Sequence, residues 1–216
     1  MFRFVVLATV CGIALGVRPL TLFTRSPTCD DALFNRCSNV FFEDLKKLGV
    51  TSLPSDPMQF IQLVQDYLMD AGVAGFDNIC NVAKDLDTCL GSHADACLTP
   101  DNLVRHFALT LSDATVYVSI IKQIGYECTV EYDVLKKNFN CLMTNQKKYQ
   151  KQTEKCIQDY ITAITKDPTQ ICPLTQKMVN CDIQYFTSCG KDAAKAICET
   201  IKYGLQTTLP QCSVTC

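Results

Sequence analysis

Residues 80 to 97, CNVAKDLDTCLGSHADAC, hold three cysteines and a histidine, and the cysteine spacing returns 92 residues later in CPLTQKMVNCDIQYFTSC at 172 to 189. Such a set could hold a metal, work as a redox thiol pair, or form disulfides. A metal site needs ligands converging on one ion at about 2.3 Å, which sequences achieve with short Cys-x2-Cys pairs or close histidines. The gaps of nine and eight residues in both triplets have neither form. Nine residues advance a helix by about 900°, so Cys80 and Cys89 point to opposite sides of one rod. Opposite directions suit two bonds to two different neighbours. Gly91 ends that helix and leaves Cys97 beyond a turn, while Gly190 directly follows Cys189. Each triplet therefore reads as a helix stitched on both faces plus an anchor for its successor.

Candidates for catalysis are few. The two histidines are His93 and His106. Ser92, His93 and Asp95 are neighbours on one short stretch, whereas a serine triad needs groups that converge around a substrate bond, framed by a nucleophile turn. His93 reads as a polar loop residue, and His106, between Arg105 and Phe107, as a helix-surface or boundary residue. No HExxH, Walker loop, GxSxG or EF-hand loop occurs. Among Asp30, Asp31, Asp85, Asp87 and Asp101, three fit cap or first-turn positions that complement a helix N-terminus. No catalytic, metal-binding or cofactor-binding residue is assigned, and the chain is not expected to be an enzyme.

The elements that must position the cysteines are helical. Phe60, Ile61, Val64, Tyr67, Leu68 and Ala71 share one face of a helix that starts at Asp56 and Pro57 and ends at Gly72. Thr99 and Pro100 open another. Ala114, Tyr117, Val118, Ile121 and Ile124 form a stripe expected to stop at Gly125. Further helices are expected at 38 to 48 before Gly49, at 75 to 90 before Gly91, up to Ile164 before Pro168, and at 191 to 203 before Gly204. Strand alternation is missing apart from CTVEYDV at 128 to 134. The fold class is all-α, a disulfide-rich bundle of eight or nine helices with short connections.

The repeat of the triplets extends to their apolar neighbours, with Ile79 matching Ile171, Val82 matching Leu174 and Leu86 matching Met178. Cys37 and Cys128 lie at nearly equal distances upstream. This suggests two diverged copies of one unit, at about 29 to 120 and 121 to 216, inside a single body spanning 17 to 216. Against it stands the chance that a cysteine-rich helical chain produces matching gaps by itself.

The chain opens with MFRFVVLATVCGIALGVRPLTLF. Arg3, the apolar run from Val5 to Ala14 and the small residues Ala14 and Gly16 have the form of a signal peptide cleaved after residue 16. Arg18 and Pro19 interrupt the run too early for a membrane anchor, which needs about 20 apolar residues, and no later stretch is long enough to span. Loss of Cys11 with the leader would leave Cys29, Cys37, Cys80, Cys89, Cys97, Cys128, Cys141, Cys156, Cys172, Cys181, Cys189, Cys198, Cys212 and Cys216. In an oxidising compartment these read as up to seven disulfides, whose pairing the sequence leaves open among about 10⁵ connectivities.

Lys and Arg number 20 against 22 Asp and Glu, which gives no global case for nucleic acid or anionic membranes. The least neutral segment, KKNFNCLMTNQKKYQKQTEK at 136 to 155, could offer a basic surface to a sulfated glycan, anionic lipid or nucleic acid, and reads more simply as a solvated helix face.

The cysteine layout, with FDNICNVAKDLDTC, the mid-chain YEC and the late CGKDAAKAIC, resembles the secreted cysteine-rich domain-of-unknown-function proteins that nematodes and other invertebrates encode. The resemblance implies secretion and transfers no catalytic residue. Three readings follow in descending order. The first is a secreted, non-enzymatic extracellular binding or structural protein. The second is a carrier of a lipid or other small apolar ligand in a cavity between helices. The third is a secreted hydrolase using His93 or His106.

Overall fold

Among the described residues eight helices of two turns or more form around apolar stripes, and side-chain caps open the first four of them. The structure, a computed structural model, describes residues 29–50, 54 and 56–216; the expected leader at 1 to 16, with Cys11, lies outside them. Asp30 accepts hydrogen bonds from the backbone N–H groups of Ala32 and Leu33 and opens α1, Asp31–Lys47. This helix starts seven residues before the expected position at 38, because the cap lies at Asp30 and Phe34, Cys37 and Leu45 all bury on its inner side. Asp56 caps α2, Pro57–Leu90, with Pro57 in its first turn. At Gly72 the backbone turns to φ 63°, ψ −143°, which breaks α2 into two arms at the glycine where the sequence ends the first helix.

A 3-10 turn at Gly91–His93 and one helical turn at Ala94–Cys97 lead to α3, Pro100–Phe107, whose cap Thr99 accepts from the Asn102 N–H. Thr110 caps α4, Leu111–Thr129. This helix runs through Gly125, where a stop was expected, because Gly125 keeps an ordinary helical backbone. α5, Tyr132–Lys148, and α6, Gln150–Lys166, meet at Tyr149, and α7 covers Ile171–Ile183. The 3-10 segment Gln184–Cys189 and Gly190, at φ 106°, precede α8, Lys191–Thr208. Gly204 does not end α8 as expected. No strand occurs among the described residues, and CTVEYDV divides between the end of α4 and the start of α5.

Helix α4 lies at the centre, packed against α2, α3, α5 and α8. Val116 to Ile120 are all buried, so α4 is enclosed there on every side rather than along one stripe. Its tightest neighbour is α8, where Gly204 explains itself. The Ser119 hydroxyl donates to the Gly204 carbonyl at 3.1 Å and the Gln123 side-chain amide donates to the Thr200 carbonyl at 3.3 Å. A Cβ on Gly204 would overlap the Gln123 side chain.

Seven disulfides join these elements: Cys29–Cys97, Cys37–Cys89, Cys80–Cys128, Cys141–Cys189, Cys156–Cys181, Cys172–Cys212 and Cys198–Cys216. Their Cα separations, 4.7 to 5.9 Å, lie in the range for such bonds. Cys80 joins α2 to α4 while Cys89 joins it to α1. In chain order, the cysteines at 29, 37, 80, 89, 97 and 128 pair first with fifth, second with fourth and third with sixth. Those at 141, 156, 172, 181, 189 and 212 pair in the same order once Cys198, which stands before Cys212 and bonds Cys216, is set aside. Six cysteines allow 15 connectivities, so a shared order is informative.

Cys128 closes the first set by pairing with Cys80 instead of standing as the counterpart of Cys37, because the end of α4 lies beside α2. Helix context differs between the sets: Cys29 precedes α1, whereas Cys141 lies inside α5. So many disulfides suit an oxidising environment, and no helix among the described residues is long and apolar enough to cross a membrane.

Gly204→Ala should lower stability by about 1 to 3 kcal/mol through overpacking, although alanine is the better helix former. The loss should shrink in a Gln123→Ala background. Thermal unfolding of the wild type, both single variants and the double variant measures that coupling; simple additivity would contradict the crossing described.

Candidate functional site

A partly open groove of about 780 Å³ lies among the described residues between α1, both arms of α2, the turn at 94–98 and α4, with Tyr203 of α8 at its edge. Its walls are apolar: Phe41 and Leu45 come from α1, Phe60 and Val64 from the first arm of α2, Val82 and Leu86 from the second, and Ile121 from α4. Residues from both arms face one space because the Gly72 kink folds α2 around it. On α4 and its C-cap the lining takes in every residue from Ile121 to Val130 except Gln123 and Glu127, which lie one turn apart on the opposite, buried side. Gly125 belongs to the lining, and a Cβ built there meets nothing within 4 Å.

The mouth combines apolar and charged groups. Val130 is 63% exposed and Tyr203 38% exposed, large values for apolar groups at a groove edge. Tyr203 stacks on Tyr126 with centroids 4.7 Å apart. The Tyr126 hydroxyl donates to Glu131 at 3.3 Å, and burial, helped by the Glu131 charge, pushes its pKa up to about 12. It stays a neutral phenol at ordinary pH. Lys84, Asp87, Asp95 and Lys122 complete the rim.

The two histidines belong to different elements, His93 to the turn Gly91–His93 and His106 to α3. His93, in the 3-10 turn, has a buried Nδ1 with no hydrogen-bond partner, and Asp95 faces Lys122 at 3.8 Å. His106 Nε2 lies 3.2 Å from an Asp31 carboxylate oxygen that also receives Arg105 at 2.9 Å, and its ring packs 4.7 Å from that of Phe34. That contact fastens the end of α3 to the start of α1. Asp30, Asp31 and Asp101 occupy cap or first-turn positions, and Asp85 and Asp87 are exposed on α2. Among the described residues no group of three or more His, Cys, Asp or Glu side chains could hold a metal ion.

The lysines of 136 to 155 are divided between α5 and α6 and several already have partners. Lys136 donates to Asp77 and to the Tyr132 hydroxyl, both at 2.9 Å; Lys148 lies over the Tyr149 ring; Lys155 pairs with Asp159.

Two carboxyls escaped the sequence reading. Glu127 on α4 and Asp182 on α7 are each 1% exposed, and Glu127 Oε1 and both oxygens of Asp182 have no hydrogen-bond partner. Burial raises the pKa of each to about 7. The available signal was positional: Glu127 lies three and seven residues after Ile124 and Ile120 on the buried side of α4.

Comparison with protein-family models, curated proteins and solved structures finds no match. The resemblance to secreted invertebrate proteins rests on cysteine rhythm alone.

Both carboxyls bind a proton more readily in the folded than in the unfolded chain. Their favourable state is therefore present in full below about pH 4 and is lost as pH rises through about 7. Moving a carboxyl from 4.5 to about 7 corresponds to about 3 kcal/mol. Glu127→Gln and Asp182→Asn should each raise stability at pH 8 and flatten its decline between pH 5 and 8, as urea unfolding at several pH values would show.

Proposed function

We propose that this is a secreted, non-enzymatic extracellular binding protein that carries a small apolar ligand in the groove between α1, α2 and α4. The observation that carries the reading is the groove, which falls within the usual size range of small-molecule sites, about 300 to 1,000 Å³. Gly125 adds support. A glycine inside a helix costs about 0.5 to 1 kcal/mol relative to alanine, and here its missing side chain leaves the groove wall open. The leader-like N-terminal sequence and the disulfides support the secreted part of this reading. The shared pairing order supports two diverged copies of one cysteine unit, with the division after α4 rather than near residue 120. Neither His93 nor His106 has a role in this reading: His106 is engaged with Asp31, and His93 Nδ1 is buried without a hydrogen-bond partner.

Gly125→Phe should narrow the groove, since a Cβ at this position meets nothing within 4 Å, and thermal unfolding checks that the fold is retained. Fluorescence titration with an acyl-chain probe should show uptake by the wild type and at least tenfold weaker uptake by the variant. The His93→Ala, His106→Ala double variant should bind as the wild type does. Absence of uptake by the wild type, together with a protein free of co-purified ligand in native mass spectrometry, would remove the carrier reading.

A further inference from the structure

The rim of the groove bears on which apolar ligand enters it. Lys122 belongs to α4 and lines the groove, and its side chain is only 28% exposed. Its ion-pair partner is Asp95 at 3.8 Å, a carboxylate whose side chain is fully exposed. The Lys122 stem is largely covered, and its ammonium, held at the groove edge with only a long contact to a solvated carboxylate, is free to take a closer anionic partner. Lys84, from the second arm of α2, adds a second ammonium to the rim. Asp87 and Asp95 share the rim with the lysines, but both are exposed and can remain in water.

We infer that the ligand is a single-chain amphiphile with an anionic carboxylate head: the chain lies along the aliphatic and aromatic walls, and the head sits at the mouth against Lys122, with Lys84 as a second contact. This rests on the carrier reading above and adds the chemistry of the head group. A carboxylate at hydrogen-bond distance would replace the long Asp95 contact of Lys122. Val130 and Tyr203, exposed at the same mouth, would flank the first methylenes of the chain.

Displacement of a bound fluorescent acyl probe by decanoate, dodecanoate and tetradecanoate, and by dodecan-1-ol, tests the inference. Affinity should rise by up to about fourfold per added methylene while the groove still has room. Dodecanoate should bind at least tenfold more tightly than dodecan-1-ol. Lys122→Met, which keeps the aliphatic stem, should abolish that preference without weakening the alcohol, and Lys122→Arg should restore it. Equal binding of acid and alcohol, or a preference that survives Lys122→Met, overturns the anionic head while the apolar groove stands. Binding of neither compound overturns both.

Discussion

The enclosure of α4 is the constraint on which the remaining structure depends. A helix buried from Val116 to Ile120 on every side needs neighbours all round it, and α2, α3, α5 and α8 are placed to meet that need. Close approach of α8 requires Gly204, since any side chain there would occupy the space of Gln123. Polar groups drawn into the crossing are partly satisfied by the opposing backbone, through Ser119 to Gly204 and Gln123 to Thr200. In the second half of α4 Gln123 and Glu127 remain buried, while the other side of the helix lines the groove. One helix thus supplies both the enclosed crossing and part of the groove wall.

The inner residues of the groove are packed, Leu45, Phe60 and Val64 being only 1 to 2% exposed, so the elements around it gain dispersion energy from one another. Here the walls are α1, the two arms of α2, the 94–98 turn and α4. Three disulfides join these elements: Cys37–Cys89 ties α1 to α2, Cys80–Cys128 ties α2 to α4, and Cys29–Cys97 ties the approach to α1 to the turn. Each cross-link contributes about 2 to 4 kcal/mol by restricting the unfolded chain, and it also fixes spacing in the folded one. A chain of this length already buries about 70% of its unfolded surface, so the cross-links are not substitutes for a core.

The glycines show what was legible in the sequence and what was not. Six were read as helix ends or boundaries. Gly49, Gly72, Gly91 and Gly190 have positive φ, the conformation that a glycine adopts without penalty, and each marks a break or an end. Gly125 and Gly204 lie inside helices that continue past them, because their reason for being glycine is what faces them. That neighbour is an open groove for one and the Gln123 side chain for the other, and neither is nearby in sequence. Local signals such as Asp56–Pro57 and Thr99–Pro100 were readable because capping satisfies backbone groups within one turn. The direction of Cys80 and Cys89 was readable from helix pitch. Their partners were not, because pairing depends on which helices the core brings together. The groove and the buried Glu127 were invisible for the same reason.

Along α4 the choices that disfavour stability gather close to the groove. Gly125 forgoes helix propensity, Glu127 takes a carboxyl into the interior, and Gln123 keeps a side-chain oxygen unpartnered. Natural sequences concentrate such departures at sites where another demand competes with folding. For Gly125 the competing demand is space, since any larger residue would enter the groove. For Lys122, one position from Gln123, it is charge at the groove edge. Glu127 differs, because it does not line the groove and its burial is set by the packing of α4 itself. Neutralising Glu127 and filling the space beside Gly125 therefore separate two causes that lie only two residues apart: the first acts on the packed side of α4 and the second on the side that a ligand would cover.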